Sequence, residues 1–112
     1  MISIPQQIKK HAIDAFPEEC VGMLVGKEYT RLENISSKPT EGYSLTLKDK
    51  IMLSKIRGKL TALVHSHPHL NSKPSIKDLK AQQTTQFNFW IIGTDGQKVT
   101  RIRKINYENA NQ

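Results

Sequence analysis

The sequence predicts a single α+β sheet domain, and three observations carry that prediction. Short apolar runs typical of strands mix with amphipathic segments typical of helices, without strict alternation. The 112 residues suffice for one hydrophobic core, with 37% apolar and 24% charged residues. No apolar run approaches the roughly 18 residues of a membrane span. We therefore expect one domain over residues 1–112 and no membrane association.

The first third of the chain predicts a helix and two strands. Pro5 suits a first helical turn, and Pro17 ends a helix. The residues between them carry an apolar face, which predicts a helix over 5–16. His11 in this helix is expected at the surface. The apolar run CVGMLVG over 20–26 contains two glycines, which is typical of a buried strand that another backbone approaches closely. A second strand is expected near 29–36, before a loop at 37–42.

The middle third predicts an extended segment, a helix and the central strand. Alternating apolar residues make 43–47 a short strand or an extended segment. Asp49 precedes apolar residues at helical spacing, which predicts a helix of about ten residues ending near Gly58. The compact apolar run 60–64 leads directly into His65 and indicates a central strand.

The last third predicts a helix followed by a hairpin. Residues 75–84 are expected to be helical. The aromatic and branched run FNFWII over 87–92 predicts a strand, with Trp90 in the core. Asp95-Gly96 is a favourable hairpin turn, and the alternating segment 99–105 predicts the returning strand.

The net charge of +7 raises the question of nucleic-acid binding. The 17 basic residues are scattered, with no block of five, which is typical of a solvated surface. The densest cluster comprises Lys98, Arg101, Arg103 and Lys104. Because no aromatic-basic recognition motif accompanies the charge, we do not expect nucleic acid as a partner.

Cys20 is the only cysteine, which excludes an internal disulfide and a four-cysteine zinc site. A lone cysteine fits a reducing compartment, and no signal peptide is recognised at the N-terminus, so a cytoplasmic location is expected. A cysteine nucleophile paired with His65 is conceivable. Apolar neighbours at a strand start favour a core residue instead.

A His-Ser-His-Pro stretch over 65–68 ends the predicted central strand. Residues i and i+2 of a strand point to the same side, so both imidazoles face one place. Two imidazoles and one carboxylate, with water in the fourth position, form a known catalytic zinc arrangement, and Asp78 could supply the carboxylate. Alternatively, the histidines are merely exposed, and Ser75 with Asp78 forms a helix capping box. Capping and metal binding are compatible. His69 follows in a loop and is expected to be exposed.

The combined spacing resembles the signature of the JAMM (MPN+) metallopeptidases. It consists of His-Ser-His-Pro, six residues, Ser, two residues and Asp, preceded upstream by Glu19-Cys-Val-Gly-Met-Leu-Val-Gly26, and it spans residues 19–78. This resemblance implies the JAMM/MPN, cytidine deaminase-like fold, in which helices flank a mixed central sheet in three α/β/α layers.

The resemblance also implies a division of roles. The implied ligands of one Zn²⁺ per chain are His65, His67 and Asp78. Glu19 would take a proton from the zinc-bound water, and Ser75 would stabilise the oxyanion of the tetrahedral intermediate. The two-residue spacing to Gly22 favours Glu19 over Glu18. The bond hydrolysed would be a peptide or isopeptide amide.

Two lineages of this family suit a short chain. One is the peptidase domain of bacteriophage tail-assembly proteins, which the aromatic strand after the Ser-x-x-Asp helix favours; the chain would then act in the host cytoplasm, with a tail protein as substrate. The other trims ubiquitin-like or sulfur-carrier proteins. A metal-free MPN scaffold is a third possibility, but the full ligand set argues against it. The chain lacks room for the inserted segments that hold ubiquitin, so a dedicated deubiquitinase is not expected.

Overall fold

Five strands, four α-helices and a short 3-10 helix at Arg57–Lys59 make up the fold in the computed structural model, which describes residues 2–110. The elements in chain order are α1 (Ile4–Ala15), β1 (Val21–Val25), β2 (Glu28–Leu32), α2 (Leu47–Lys55), β3 (Ala62–His67), α3 (Ile76–Thr85), β4 (Phe89–Gly93), β5 (Arg103–Ile105) and α4 (Tyr107–Ala110). The sheet order is β2-β1-β3-β4-β5. Only β3 and β4 are parallel, so the sheet is mixed and the fold is α+β, as predicted.

The helices lie on both faces of the sheet and form a separate core on each. The core under α1 is formed by Ile8, Ala12, Cys20, Leu24, Val64 and Ile92. The opposite core, under α2 and α3, is formed by Val21, Leu45, Leu53, Leu63, Phe87 and Phe89. The expected three-layer arrangement is therefore confirmed. None of the helices within residues 2–110 has the length and apolar character needed to cross a bilayer.

Strand β3 lies in the middle of the sheet, and all six of its residues are buried. The alternation along the strand places Leu63 in the core under α2 and α3, and Val64 in the core under α1. His65 and His67 share the side of Leu63, whereas Ser66 points to the other side. The strand ends at His67, immediately before Pro68, as predicted.

Two predicted strands are shorter in the structure, since β2 ends at Leu32 rather than near residue 36 and β5 covers only the end of 99–105. The segment predicted at 43–47 takes the extended alternative rather than that of a strand. The segment 43–46 is extended but belongs to no ladder, and its Ser44 carbonyl accepts a hydrogen bond from the N–H of Ile35. The predicted returning strand over 99–105 pairs regularly only at 103–105, beyond a single bridge between Thr94 and Val99. Between them the Thr100 hydroxyl accepts from the Gly93 N–H, so a side chain replaces a carbonyl of the ladder.

Two predicted positions are wrong. His11 is 7% exposed rather than at the surface, and its Nδ1 lies 2.6 Å from the hydroxyl of Tyr29. The Tyr29 ring lies over Gly22, where a Cβ atom would collide with it. The helical periodicity around His11 could not reveal that its partner, Tyr29, lies on strand β2. Trp90 is half-buried rather than in the core, with the ammonium of Lys104 4.3 Å from its ring centre.

Burial makes His11 a source of acid sensitivity. Burial, assisted by the nearby Arg31, lowers the pKa of His11 to about 4. The unfolded chain therefore binds this proton first as the pH falls below about 6.5, and folding stability falls with it. We expect the residue to destabilise the fold by about 2 kcal/mol at pH 5 relative to pH 7. Urea unfolding at both pH values should show a weaker pH dependence in His11→Gln. The exposed His69→Gln is the control, and an unchanged slope in His11→Gln would contradict the assignment.

Candidate metal centre

The structure brings His65, His67 and Asp78 together at the end of β3. The carboxylate of Asp78, in the first turn of α3, lies between the two rings. Its Oδ1 is 3.1 Å from His65 Nε2, and its Oδ2 is 3.0 Å from His67 Nε2. The three side chains are buried, and one candidate ligand atom from each lies within 4.8 Å of the others. Two ring nitrogens and a carboxylate oxygen therefore face one point.

The ring of His67 is oriented by the loop that follows it. Its Nδ1 donates to the carbonyl of Asn71 at 2.9 Å, which leaves Nε2 directed at Asp78. Burial opposes protonation of this ring, but the bonds to Asp78 and to the Asn71 carbonyl carry its pKa above the ordinary value. A backbone carbonyl on the outer nitrogen is the usual support of a metal-binding imidazole.

His65 is the more deeply buried of the two histidines. Its ring packs against the ring of Tyr43, with 5.0 Å between the ring centres, and edge-on to the ring of Phe89, with 5.7 Å between the ring centres. Within residues 2–110 neither ring nitrogen has a hydrogen-bond partner of acceptable geometry, although Asp78 is close to Nε2. Buried polar atoms are normally paired. An unpaired imidazole nitrogen that faces a carboxylate fits a cation bound between them.

Ser75 and Asp78 form the capping box that the sequence allowed. The Ser75 hydroxyl accepts from the Asp78 N–H at 3.0 Å, and the Ser75 N–H donates to Asp78 Oδ2 at 2.9 Å. Burial opposes ionisation of Asp78, but the contacts with His65 and His67 hold its pKa well below the usual range. The predicted capping box is confirmed, and it is compatible with metal binding because the cap fixes the carboxylate that faces the histidines.

Glu19 lies just before β1, beside His65, His67 and Asp78, which we call the His/Asp group. Its side chain is buried, whereas Glu18 is exposed. Burial raises the pKa of the Glu19 carboxyl, although the nearby histidines oppose the shift. The cleft above these groups has a volume of about 480 Å³. Its lining includes Glu19, Tyr43, His67, Ser75, Lys77 and Asp78.

Cys20 lies on the other side of the sheet from the two histidines. It is 2% exposed within the core under α1, and burial raises the pKa of its thiol to about 11. Because a thiol of this pKa is protonated at neutral pH, Cys20 is a core residue and not a nucleophile partnered by His65.

Sequence reasoning missed the residues that hold the loop after β3. The N–H of Asn71 donates to His69 Nδ1 at 3.2 Å, and its carbonyl orients His67, so one residue orders both rings. His69 itself is exposed, as expected. Gly93 lets the backbone at His69 pass over β4, because a Cβ atom there would collide with the His69 carbonyl oxygen. The glycine at the end of an apolar strand was the available signal.

A paired His-x-His strand end that faces a capped helix start, on a mixed sheet with helices on both faces, defines a domain of the JAB/MPN class. The family model described as prokaryotic homologs of the JAB domain matches residues 2–106, and the chain belongs to that family. The resemblance recognised in the sequence is thereby confirmed.

The chain is similar to a curated phage protein and to solved structures. The tail tip assembly protein K of Escherichia phage N15 is 37% identical over 89 residues, which cover 76% of this chain and 36% of that protein. The chain thus spans about a third of that relative's length.

Both solved structures share the fold. A protein from Desulfitobacterium hafniense has a TM-score of 0.63 and 20% identity, over 89% of this chain and 84% of that one. A JAB1/MPN domain protein from Archaeoglobus fulgidus has a TM-score of 0.60 and 23% identity, over 95% and 86%.

Proposed function

We propose that the protein is a zinc-dependent metallopeptidase that hydrolyses a peptide or isopeptide bond. One observation carries the proposal: the Nε2 atoms of His65 and His67 converge on the carboxylate of Asp78. His67 and Asp78 line a cleft that Glu19 also lines, and His65 is buried behind them. Two imidazoles and one carboxylate are a donor set of catalytic zinc sites.

The residues around this group suit amide hydrolysis. When bound, Zn²⁺ lowers the pKa of water to near 7 and polarises a carbonyl group. The Glu19 carboxylate accepts a proton from the attacking water and passes it to the leaving amine. Its raised pKa lies closer to the neutral range, where such proton transfer is efficient. Ser75 retains its hydroxyl proton while it accepts from Asp78, and it donates that proton to the developing oxyanion.

We further propose that the substrate is a protein of phage tail assembly, encountered in the host cytoplasm. The support is the 37% identity to a protein named for tail tip assembly. The match covers 36% of that relative, so the proposal rests on the shared region alone.

Metal content tests the foundation of the proposal. We expect about one zinc per chain in the wild type by elemental analysis and a loss of most of it in His65→Ala, because a three-residue donor set would lose one of its ligands. His11→Gln is the control, since this histidine lies in α1, on the opposite face of the sheet from the converging group. Wild-type protein that takes up no zinc when zinc is offered would overturn the enzyme assignment and favour a metal-free scaffold.

A further inference from the structure

The backbone of Glu19 is held by a loop rather than by the sheet. The residue lies two positions before β1, outside the regular ladder. Its N–H donates to the carbonyl of Pro39 at 2.7 Å, and its carbonyl accepts from Asn34 Nδ2 at 2.9 Å. Both main-chain groups of Glu19 are therefore bonded to the segment 34–44. The next residue, Cys20, returns to the sheet by donating to the Ser66 hydroxyl at 2.8 Å.

Asn34 is the centre of that segment. Its Nδ2 also donates to the Gly42 carbonyl at 3.1 Å. Its Oδ1 accepts from the N–H groups of Ser36 and Ser44, at 3.0 and 3.1 Å. One carboxamide thus makes four bonds to main-chain atoms and ties both ends of the loop to Glu19. Residues 40–43 of this loop form one wall of the cleft.

The His/Asp group has different anchors. His67 is oriented by the Asn71 carbonyl, and Asp78 is fixed by the Ser75 cap at the start of α3. Neither hydrogen-bonded anchor involves the segment 34–44, although Tyr43 of that segment packs against the ring of His65. The site is therefore built from two parts: the His/Asp group on β3 and α3, and the Glu19 carboxylate, whose backbone is held by the segment 34–44.

We propose that Asn34 is the positioning residue for Glu19, setting the place of its carboxylate and of the adjoining cleft wall relative to the His/Asp group. The placement of Glu19 by Asn34 stands on the hydrogen bonds alone, whereas its catalytic consequence rests on the proposed function. A residue with four main-chain bonds outside any helix or sheet ladder restricts its loop to one conformation.

Two variants and a matched control test the proposal in zinc-loaded protein. Asn34→Ala removes all four bonds. Asn34→Asp retains an acceptor for Ser36 and Ser44 but sets a carboxylate against the Glu19 and Gly42 carbonyls. The control is Asn88→Ala, because Asn88 also joins two backbone sites, the Thr61 carbonyl and the Tyr107 N–H, away from the cleft.

We expect both Asn34 variants to retain wild-type zinc content while the Glu19 amide proton exchanges at least about tenfold faster by NMR. Hydrolysis should show a kcat lower by about 10²-fold, the effect of misplacing a reacting group by about 1 Å. Asn88→Ala should change neither quantity.

Unchanged Glu19 amide exchange in a folded Asn34 variant would overturn the proposal. So would failure of both variants to fold while Asn88→Ala folds, since Asn34 would then serve global stability. If the wild type binds zinc but hydrolyses nothing, the proposed function fails while the exchange measurement still decides the role of Asn34.

Discussion

Glu19→Gln should bind zinc like the wild type and lose hydrolysis by about 10²–10⁴-fold, the range that a positioned general base contributes. The amide has nearly the shape of the carboxylate, so the backbone bonds to Pro39 and Asn34 survive the change. It cannot accept a proton at neutral pH. Because Glu19 stands apart from the converging His65, His67 and Asp78 atoms, zinc content should not fall.

Glu18→Gln is the matched control for this experiment. It makes the same chemical change one residue away, at an exposed side chain, and should leave both zinc content and hydrolysis unchanged. The measurement pairs elemental analysis with cleavage of a candidate tail protein, followed by mass spectrometry of the products. Full activity in Glu19→Gln would remove Glu19 from the reaction.

The layout of the fold was predictable because its strongest signals are local. The apolar run before His65 became β3, and the helix predicted over 75–84 became α3, shifted by one residue. The short ladder at β5 was overpredicted, because alternation indicates an extended chain but not which atoms complete its hydrogen bonds. At Thr100 a side chain takes that role, and no periodicity reveals it.

The candidate ligands were predictable from residues close in sequence. The His-x-His spacing sets both rings on one side of a strand, and the Ser-x-x-Asp spacing closes a cap. Spacing alone leaves these two signals separate, and the family resemblance implied that they form one site. The structure places the Asp78 carboxylate within 3.1 Å of both rings at the end of β3.

The supporting residues were not predictable, because their partners are distant and are mostly main-chain atoms. Asn34 reaches Glu19, fifteen residues away, through a backbone carbonyl that has the same chemistry in every residue. His11 is similar, since its partner Tyr29 belongs to another element. The periodicity of apolar residues in one sequence indicates the buried faces of helices and strands. The loops that position a site have no such periodicity.

Asp78→Asn should weaken zinc binding by more than about 100-fold, beyond the range seen when only a supporting partner is lost. The amide oxygen can still accept from the Ser75 N–H, so the start of α3 remains capped. The negative charge between the two histidines disappears, and with it the anionic member of the donor set. The effect on metal binding is therefore separable from an effect on the helix. Competition with a chromogenic chelator measures the dissociation constant.

Asp49→Asn is the control that isolates the site from the helix end. Asp49 occupies the same position of α2 that Asp78 occupies in α3, with its N–H donating to the Thr46 hydroxyl at 3.1 Å. Both substitutions remove one acidic charge from a first helical turn, and this helix-end effect amounts to about 0.3–1 kcal/mol in each variant. Only Asp78→Asn should affect zinc. Equal zinc affinity in the two variants would mean that Asp78 serves the capping box alone and that the histidines do not form a zinc site with it.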